Sequence, residues 1–144
     1  MHVANILKVK GTDVVTIGPD ETVAATARLL NVKRIGAILV CDANGKVVGV
    51  ISERDIIRGI AVNGERALEM QVRDLMTSEV IACKPTDTIS EVMRVMTTRR
   101  FRHLPVMEDG ALKGMISIGD VVKNRIEETE MEARALRDYV LASR

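Results

Sequence analysis

Aromatic side chains are all but missing: the chain has one Phe, one Tyr and no Trp. Single strands of nucleic acid are held by stacking bases on such rings, so that mode of recognition has no platform, and the core must come from Val, Ile, Leu, Met and Ala. An excess of either charge is missing too. Lys and Arg number 21 against 20 Asp and Glu, for a formal net charge of +1, which removes the bulk attraction to DNA, RNA or an anionic membrane. Any anion site must be local. Apolar runs are short, Ile35–Cys41 being among the longest, far below a bilayer span, and the N-terminus lacks the apolar stretch of a secretory signal. A cytoplasmic location is expected. Cysteine is limited to Cys41 and Cys83, both in apolar strand-like runs, which reads as two buried reduced thiols. His2 and His103 have no neighbours at metal-ligand spacing, so no zinc site is expected. No phosphate loop, no G-x-S-x-G and no Cys-His or paired-carboxylate arrangement stands out. Catalytic residues: none are assigned, and the chain is expected not to be an enzyme.

What is present is a duplication. Gly49-Val50-Ile51-Ser52-Glu53-Arg54-Asp55-Ile56-Ile57 returns as Gly114-Met115-Ile116-Ser117-Ile118-Gly119-Asp120-Val121-Val122. Upstream, Pro19 matches Pro85, Thr22 matches Thr88, Arg28 matches Arg94 and Arg34 matches Arg100, one residue further apart than in the downstream block. The slip falls where Asp42-Ala43-Asn44-Gly45 faces the shorter Glu108-Asp109-Gly110, a turn in which a deletion costs little. Each copy is small enough to be marginal alone, so the two are expected to share burial.

The hydrophobic period changes in the same order in both copies. Val14–Ile17 and Val80–Cys83 read as short strands ahead of a proline. Asp20-Glu21-Thr22 and Thr86-Asp87-Thr88 offer helix caps, followed by Val23, Ala27 and Leu30, or Ile89, Met93 and Met96, at helical spacing. Strands follow over Ile35–Val40 and Phe101–Val106, then their hairpin partners Lys46–Ile51 and Ala111–Ile116, then helices from Asp55 and Asp120. Val72–Thr77 opens the second copy, with Val3–Leu7 as a degenerate counterpart for the first. The division expected is 8–63 and 72–128 for the copies, 64–71 for a linker and 129–144 for a helical extension. In that tail Val122, Ile126, Thr129, Ala133, Leu136 and Val140 form a stripe that either packs on the protein's own surface or meets a partner helix across a homodimer.

The repeated G-h-I-S-x-x-D corner is where chemistry could sit. A serine closing a strand offers its hydroxyl and N–H to a phosphate, and the next helix adds unpaired N–H groups and a positive dipole end. An aspartate one turn on suits the vicinal hydroxyls of a ribose. The plainer alternative makes Ser52 and Ser117 simple helix caps, with Asp55 and Asp120 in the first turn. The copies differ at the second strand: Ile35-Gly36-Ala37 could let a flat ring lie on the backbone, whereas Phe101-Arg102-His103 supplies donors for phosphate oxygens.

These motifs, above all Arg102-His103-Leu104-Pro105-Val106, Gly114–Asp120, Ile35-Gly36-Ala37 and Ser52-Glu53-Arg54-Asp55, make the chain resemble a tandem pair of CBS domains, a Bateman module, of the kind carrying no attached enzyme. The resemblance implies an α+β fold of two β-α-β-β-α repeats about a pseudo-two-fold axis, with clefts between them that bind AMP, ADP, ATP, NAD or S-adenosylmethionine. It implies a main cleft drawing on Ile35, Gly36, Ala37, His103, Ile116, Ser117, Ile118 and Asp120. A second cleft would use Ser52, Arg54, Asp55, Lys84, Phe101 and Arg102, although Arg102 and His103 replace the small residues of a base wall. The function implied is a homodimeric regulatory module sensing energy or redox state, with no catalytic cofactor, metal, nucleic acid or membrane partner. Two other readings remain, a ligand-free interaction module acting through its C-terminal helix and a hydrolase of bound nucleotide.

Overall fold

In the computed structural model, which describes residues 1–143, the chain runs α1 (Val3–Lys10), β1 (Thr16–Ile17), α2 (Val23–Lys33), β2 (Ala37–Cys41), β3 (Val47–Ser52) and α3 (Glu53–Asn63). A 3-10 turn over Gly64–Glu69 leads to α4 (Val72–Leu75), α5 (Ile89–Arg99), β4 (His103–Glu108), β5 (Ala111–Ser117) and α6 (Ile118–Ala142). This mixed helix and strand architecture is the α+β class expected. Contacts gather the elements into two units, Val14–Ile81 in one and Met1–Asp13 with the chain from Ala82 onward in the other.

In the unit of Val14–Ile81 the threonine cap works as its sequence suggests: the Ala25 N–H donates to the Thr22 hydroxyl (3.1 Å) and starts α2. The helix ends at Arg34, which adopts the left-handed conformation (φ 54°). The chain then enters β2, which lies between β1, parallel to it, and β3, antiparallel to it. Between the hairpin strands the Asp42 carboxylate accepts the N–H groups of Asn44 and Lys46, both at 2.9 Å, an aspartate turn of the kind this residue favours. Val23, Leu30, Ile38, Val40, Ile51, Ile56 and Val72 close the core, in the apolar aliphatic composition the lack of aromatics requires.

The other unit repeats the plan around the antiparallel pair β4–β5, with His103 opposite Ser117 and Leu104 opposite Ile116. Thr88 caps α5, accepting from the Glu91 N–H (3.1 Å) while Glu91 accepts the Thr88 N–H in return (3.2 Å). The strand expected over Val80–Cys83 does not form; Cys83 alone pairs, donating to Pro105 O (3.0 Å) and accepting from Met107 N–H (2.8 Å). The next N–H, that of Lys84, turns instead to the Asp87 carboxylate (2.8 Å), which ends the pairing after one residue.

The lead-in segments are exchanged. Val72 and Arg73, at the start of α4, donate to Glu21 O and Pro19 O at 2.8 and 3.0 Å, and Val23 N–H donates to Met70 O at 2.9 Å. In the other unit Val3 and Ala4, at the start of α1, donate to Asp87 O and Pro85 O at 2.9 and 3.0 Å, and Ile89 N–H donates to Met1 O at 3.2 Å. Each short helix thus satisfies its first orphan N–H groups on the loop of the copy it does not precede in sequence. Side chains follow the same exchange. A Cβ built on Gly49 would come 2.6 Å from Met76 Sδ, and one on Gly114 would come 2.7 Å from a Leu7 methyl, so the glycine opening each repeated corner is the seat of a lead-in side chain.

Helix α6 spans 25 residues, longer than the stripe alone implies. Its buried face stops early: Val121 is fully buried, while Val122, Ile126, Met131, Leu136 and Val140 are exposed. Among the described residues no helix is long and apolar enough to cross a membrane.

Candidate functional site

Both serine–aspartate corners are reciprocal helix caps. At the start of α3 the Ser52 N–H donates to Asp55 Oδ2 (2.9 Å) and the Asp55 N–H returns to the Ser52 hydroxyl (3.3 Å). At the start of α6 the Ser117 N–H donates to Asp120 Oδ2 (2.9 Å) and the Asp120 N–H to the Ser117 hydroxyl (3.1 Å). Two orphan donors are satisfied in each case, so the plainer reading of the motif accounts for its geometry as it stands. What separates the corners is what else each carboxylate holds.

Asp55 is used up within the fold. Its Oδ2 also takes the Ser52 hydroxyl (3.0 Å), and its Oδ1 faces the Thr77 hydroxyl (3.4 Å) and the Arg58 guanidinium (3.7 Å). Only 8% of the residue is exposed. Thr77 arrives there because its own N–H and C=O pair with Val50, at 2.9 and 3.0 Å, extending the sheet beside β3.

Asp120 is more open, with 27% of its side chain exposed, and carries the Lys10 ammonium on Oδ2 at 2.6 Å. Partial burial pushes its carboxyl upward, but the Lys10 hydrogen bond, the Ser117 N–H, the Lys10 charge and the Ser117 hydroxyl outweigh that and hold it below the usual aspartate value. A carboxylate so held is ionised at neutral pH, accepts only, and suits a diol. Lys10 was not legible as a member of this corner, since it precedes Asp120 by most of the chain; its only signal is its place just beyond the lead-in Val3–Leu7.

The remaining candidate residues divide as follows. Gly36 O accepts the Glu53 N–H (3.0 Å) and Ala37 pairs with Ser52, so Ile35, Gly36 and Ala37 lie beside Ser52, Arg54 and Asp55 in the unit of Val14–Ile81. Arg102 O accepts the Ile118 N–H (2.8 Å) and His103 pairs with Ser117, so Phe101, Arg102 and His103 lie beside Ile116, Ser117, Ile118 and Asp120 in the other unit, which also holds Lys84. Ile116 is fully buried and Ala37 nearly so, leaving their backbone as what they can present. Arg54, Lys84 and Arg102 are exposed, and Ile35, Gly36, Phe101, His103 and Ile118 half-buried.

The sequence profile of the CBS domain matches the chain twice, over residues 6–62 and 72–127. The chain belongs to the CBS-domain family. A solved CBS-domain containing protein from Agrobacterium tumefaciens is 45% identical, with a TM-score of 0.84 over 86% of this chain and 92% of that one. A mitochondrial CBS domain-containing protein of Arabidopsis thaliana is 34% identical over 125 residues, covering 84% of this chain; the chain spans 61% of that protein's length. The CBS domain pair of protein MJ0100, solved in complex with 5'-methylthioadenosine and S-adenosyl-L-methionine, shares the fold at 22% identity and a TM-score of 0.78 over 89% of this chain and 98% of that one. The profile's two matches begin at the lead-in segments Ile6 and Val72, whereas the compact units exchange those segments. Repeat in sequence and unit in space are different divisions of this CBS pair.

Proposed function

We propose that this CBS pair is a non-catalytic regulatory module, homodimeric and cytoplasmic, that binds an adenosyl nucleotide, AMP, ADP, ATP or NAD, and reports energy or redox state. The observation carrying this reading is the Ser117–Asp120 corner, where an ionised, partly exposed carboxylate stands one turn from the N-terminus of α6. Its chemistry fits a ribose diol with a phosphate close by, and adenosyl ligands occupy the solved MJ0100 pair. In this reading Asp120 accepts the ribose hydroxyls, Ser117 and His103 attend the phosphate, and Ile118 and the backbone of Ile116 flank the sugar. Ser52, Arg54 and Asp55 form a second, weaker site in the unit of Val14–Ile81, because Asp55 already spends both oxygens inside the fold. Regulation then follows from a difference in ligand affinity between two arrangements of the module, since equal affinity would shift nothing.

Calorimetry with AMP and with NAD tests the reading. Asp120→Ala is expected to cost about 1.5 to 3 kcal/mol of affinity, the worth of hydrogen bonds to a charged group, with the melting curve showing the variant folded. Unchanged affinity removes Asp120 from the site. A second reading, a ligand-free interaction module, is favoured by the exposed Met131, Leu136, Tyr139, Val140 and Leu141 of α6. Truncation after Glu130 separates the two: nucleotide-induced thermal stabilisation survives it under the first reading, and self-association or partner capture is lost under the second.

A further inference from the structure

The helices α1 and α4 play the same part in their units, yet α1 is 8 residues long and α4 only 4. After α4 the chain extends at once, and Thr77 lines up beside Val50 and reaches Asp55. In α1 the helix continues for another turn, closed by Gly11 (φ 97°), whose N–H donates to Leu7 O at 2.7 Å. That added turn carries Lys10 to Asp120. From its lead-in one corner therefore receives a neutral hydroxyl, on the Oδ1 that also faces Arg58, and the other receives a cation, on the same Oδ2 that the Ser117 N–H holds.

We propose that Lys10 makes this corner selective for phosphorylated adenosyl ligands, its ammonium exchanging the Asp120 carboxylate for the ligand's phosphate as the ribose hydroxyls take its place. The inference rests on the reading that Asp120 holds the ribose of an adenosyl ligand. An ion pair with this much exposure contributes little, because water screens it and the long side chain loses freedom in forming it. The Lys10 side chain is 43% exposed, and its flexible stem lets the ammonium swing away from the carboxylate. A diol supplies the carboxylate with two hydroxyl donors but leaves the ammonium without an anion. A ligand bearing phosphate restores that anion within the reach of a four-carbon stem. Adenosine breaks the ion pair and returns nothing for it, and a sulfonium ligand would set a second cation beside the first. The selection is thus for anionic ligands over neutral or cationic ones carrying the same base and sugar.

The test is calorimetry on the full chain with AMP and with adenosine at one ionic strength, using the wild type, Lys10→Met, which keeps the apolar stem, and Lys10→Arg, which keeps the charge. Lys10→Met is expected to weaken AMP roughly tenfold or more, as loss of a charge-assisted contact does, while adenosine binds as well as before or better, and Lys10→Arg retains the preference for AMP. If the wild type binds AMP but Lys10→Met changes AMP and adenosine by the same factor, or changes neither, the role of Lys10 is overturned while the adenosyl reading stands. A wild type that binds none of AMP, ATP and NAD overturns the adenosyl reading itself, and the inference with it.

Discussion

Leu7 stands over Gly114 so closely that a methyl group on the glycine would fall 2.7 Å from a Leu7 methyl. Gly114 is itself buried on β5 with its backbone paired to Val106, so it cannot back away. Gly114→Ala is therefore expected to destabilise the protein by about 1 to 3 kcal/mol, the range for overpacking a tight site. Leu7→Ala alone leaves a cavity and costs about 2 to 5 kcal/mol, but the double variant should fall short of the sum, because the added methyl fills space the leucine vacated. Urea denaturation of the four proteins gives the coupling; strict additivity would show that the two residues do not meet in solution.

The two corner aspartates differ in what their loss leaves behind. Asp55→Ala strands the Ser52 N–H and hydroxyl and the Thr77 hydroxyl in a partly buried setting, with a cost of about 1 to 3 kcal/mol. Asp120→Ala uncovers a cap that water can reach and is expected to cost about 1 kcal/mol. The order of the two denaturation midpoints checks this.

Acid should weaken one unit through identifiable groups. Asp120 lies below the usual carboxylate range for the reasons given above. Glu128 lies below it through the hydrogen bond from the Met1 ammonium (2.6 Å), opposed by some burial and aided by Arg125. For a depressed carboxyl, the stability it contributes is present above the unfolded-state value and disappears as pH falls through the folded one. Asp120→Asn combined with Glu128→Gln is expected to give a protein less stable at pH 7 whose stability declines less steeply between pH 5 and 3. Parallel acid limbs in the variant and wild type would rule out these two groups as the source.

The Cys83 thiol should not react in the folded protein. Cys83 is buried beside Pro105, and desolvation first, then the Asp87 charge, push its thiol up to about 12 against a small opposing backbone contribution. Cys41, expected to be buried, is only half-buried at the end of β2, and partial desolvation first, then Asp42, raise it as well. Since the thiolate is the nucleophile, alkylation of Cys83 at pH 8 is expected to be far slower than for a free cysteine and slower than for the half-buried Cys41, and denaturant should remove the difference. Fast labelling of Cys83 in the native state would contradict the burial described.

What depends on local chemistry is legible in the residues alone. The Thr22 and Thr88 caps, the hairpins after Val40 and Val106, and the capped corners at Ser52 and Ser117 each need only a few neighbouring residues, and each formed. What stayed hidden depends on partners far along the chain. No local pattern tells that Val72 docks on the loop after Pro19 while Val3 docks on the loop after Pro85, because the lead-in motif looks alike wherever it lands. The left-handed Arg34 and Arg100 (φ 54° and 59°) were equally silent, since that conformation is ordinarily signalled by glycine. The Lys10–Asp120 pair belongs with these: its charge was countable and its destination was not.

The exchanged lead-ins also separate the two halves in time. The stretch Val14–Ile81 is uninterrupted, so on a ribosome it can close as soon as Ile81 has cleared the exit tunnel, by contacts of modest sequence separation. Helix α1 is made before that stretch and seated after it, because the loop that receives Val3 lies at Pro85–Asp87 and the glycine that receives Leu7 lies at Gly114. Until Gly114 has been made, the apolar face of Val3, Ile6 and Leu7 has no berth.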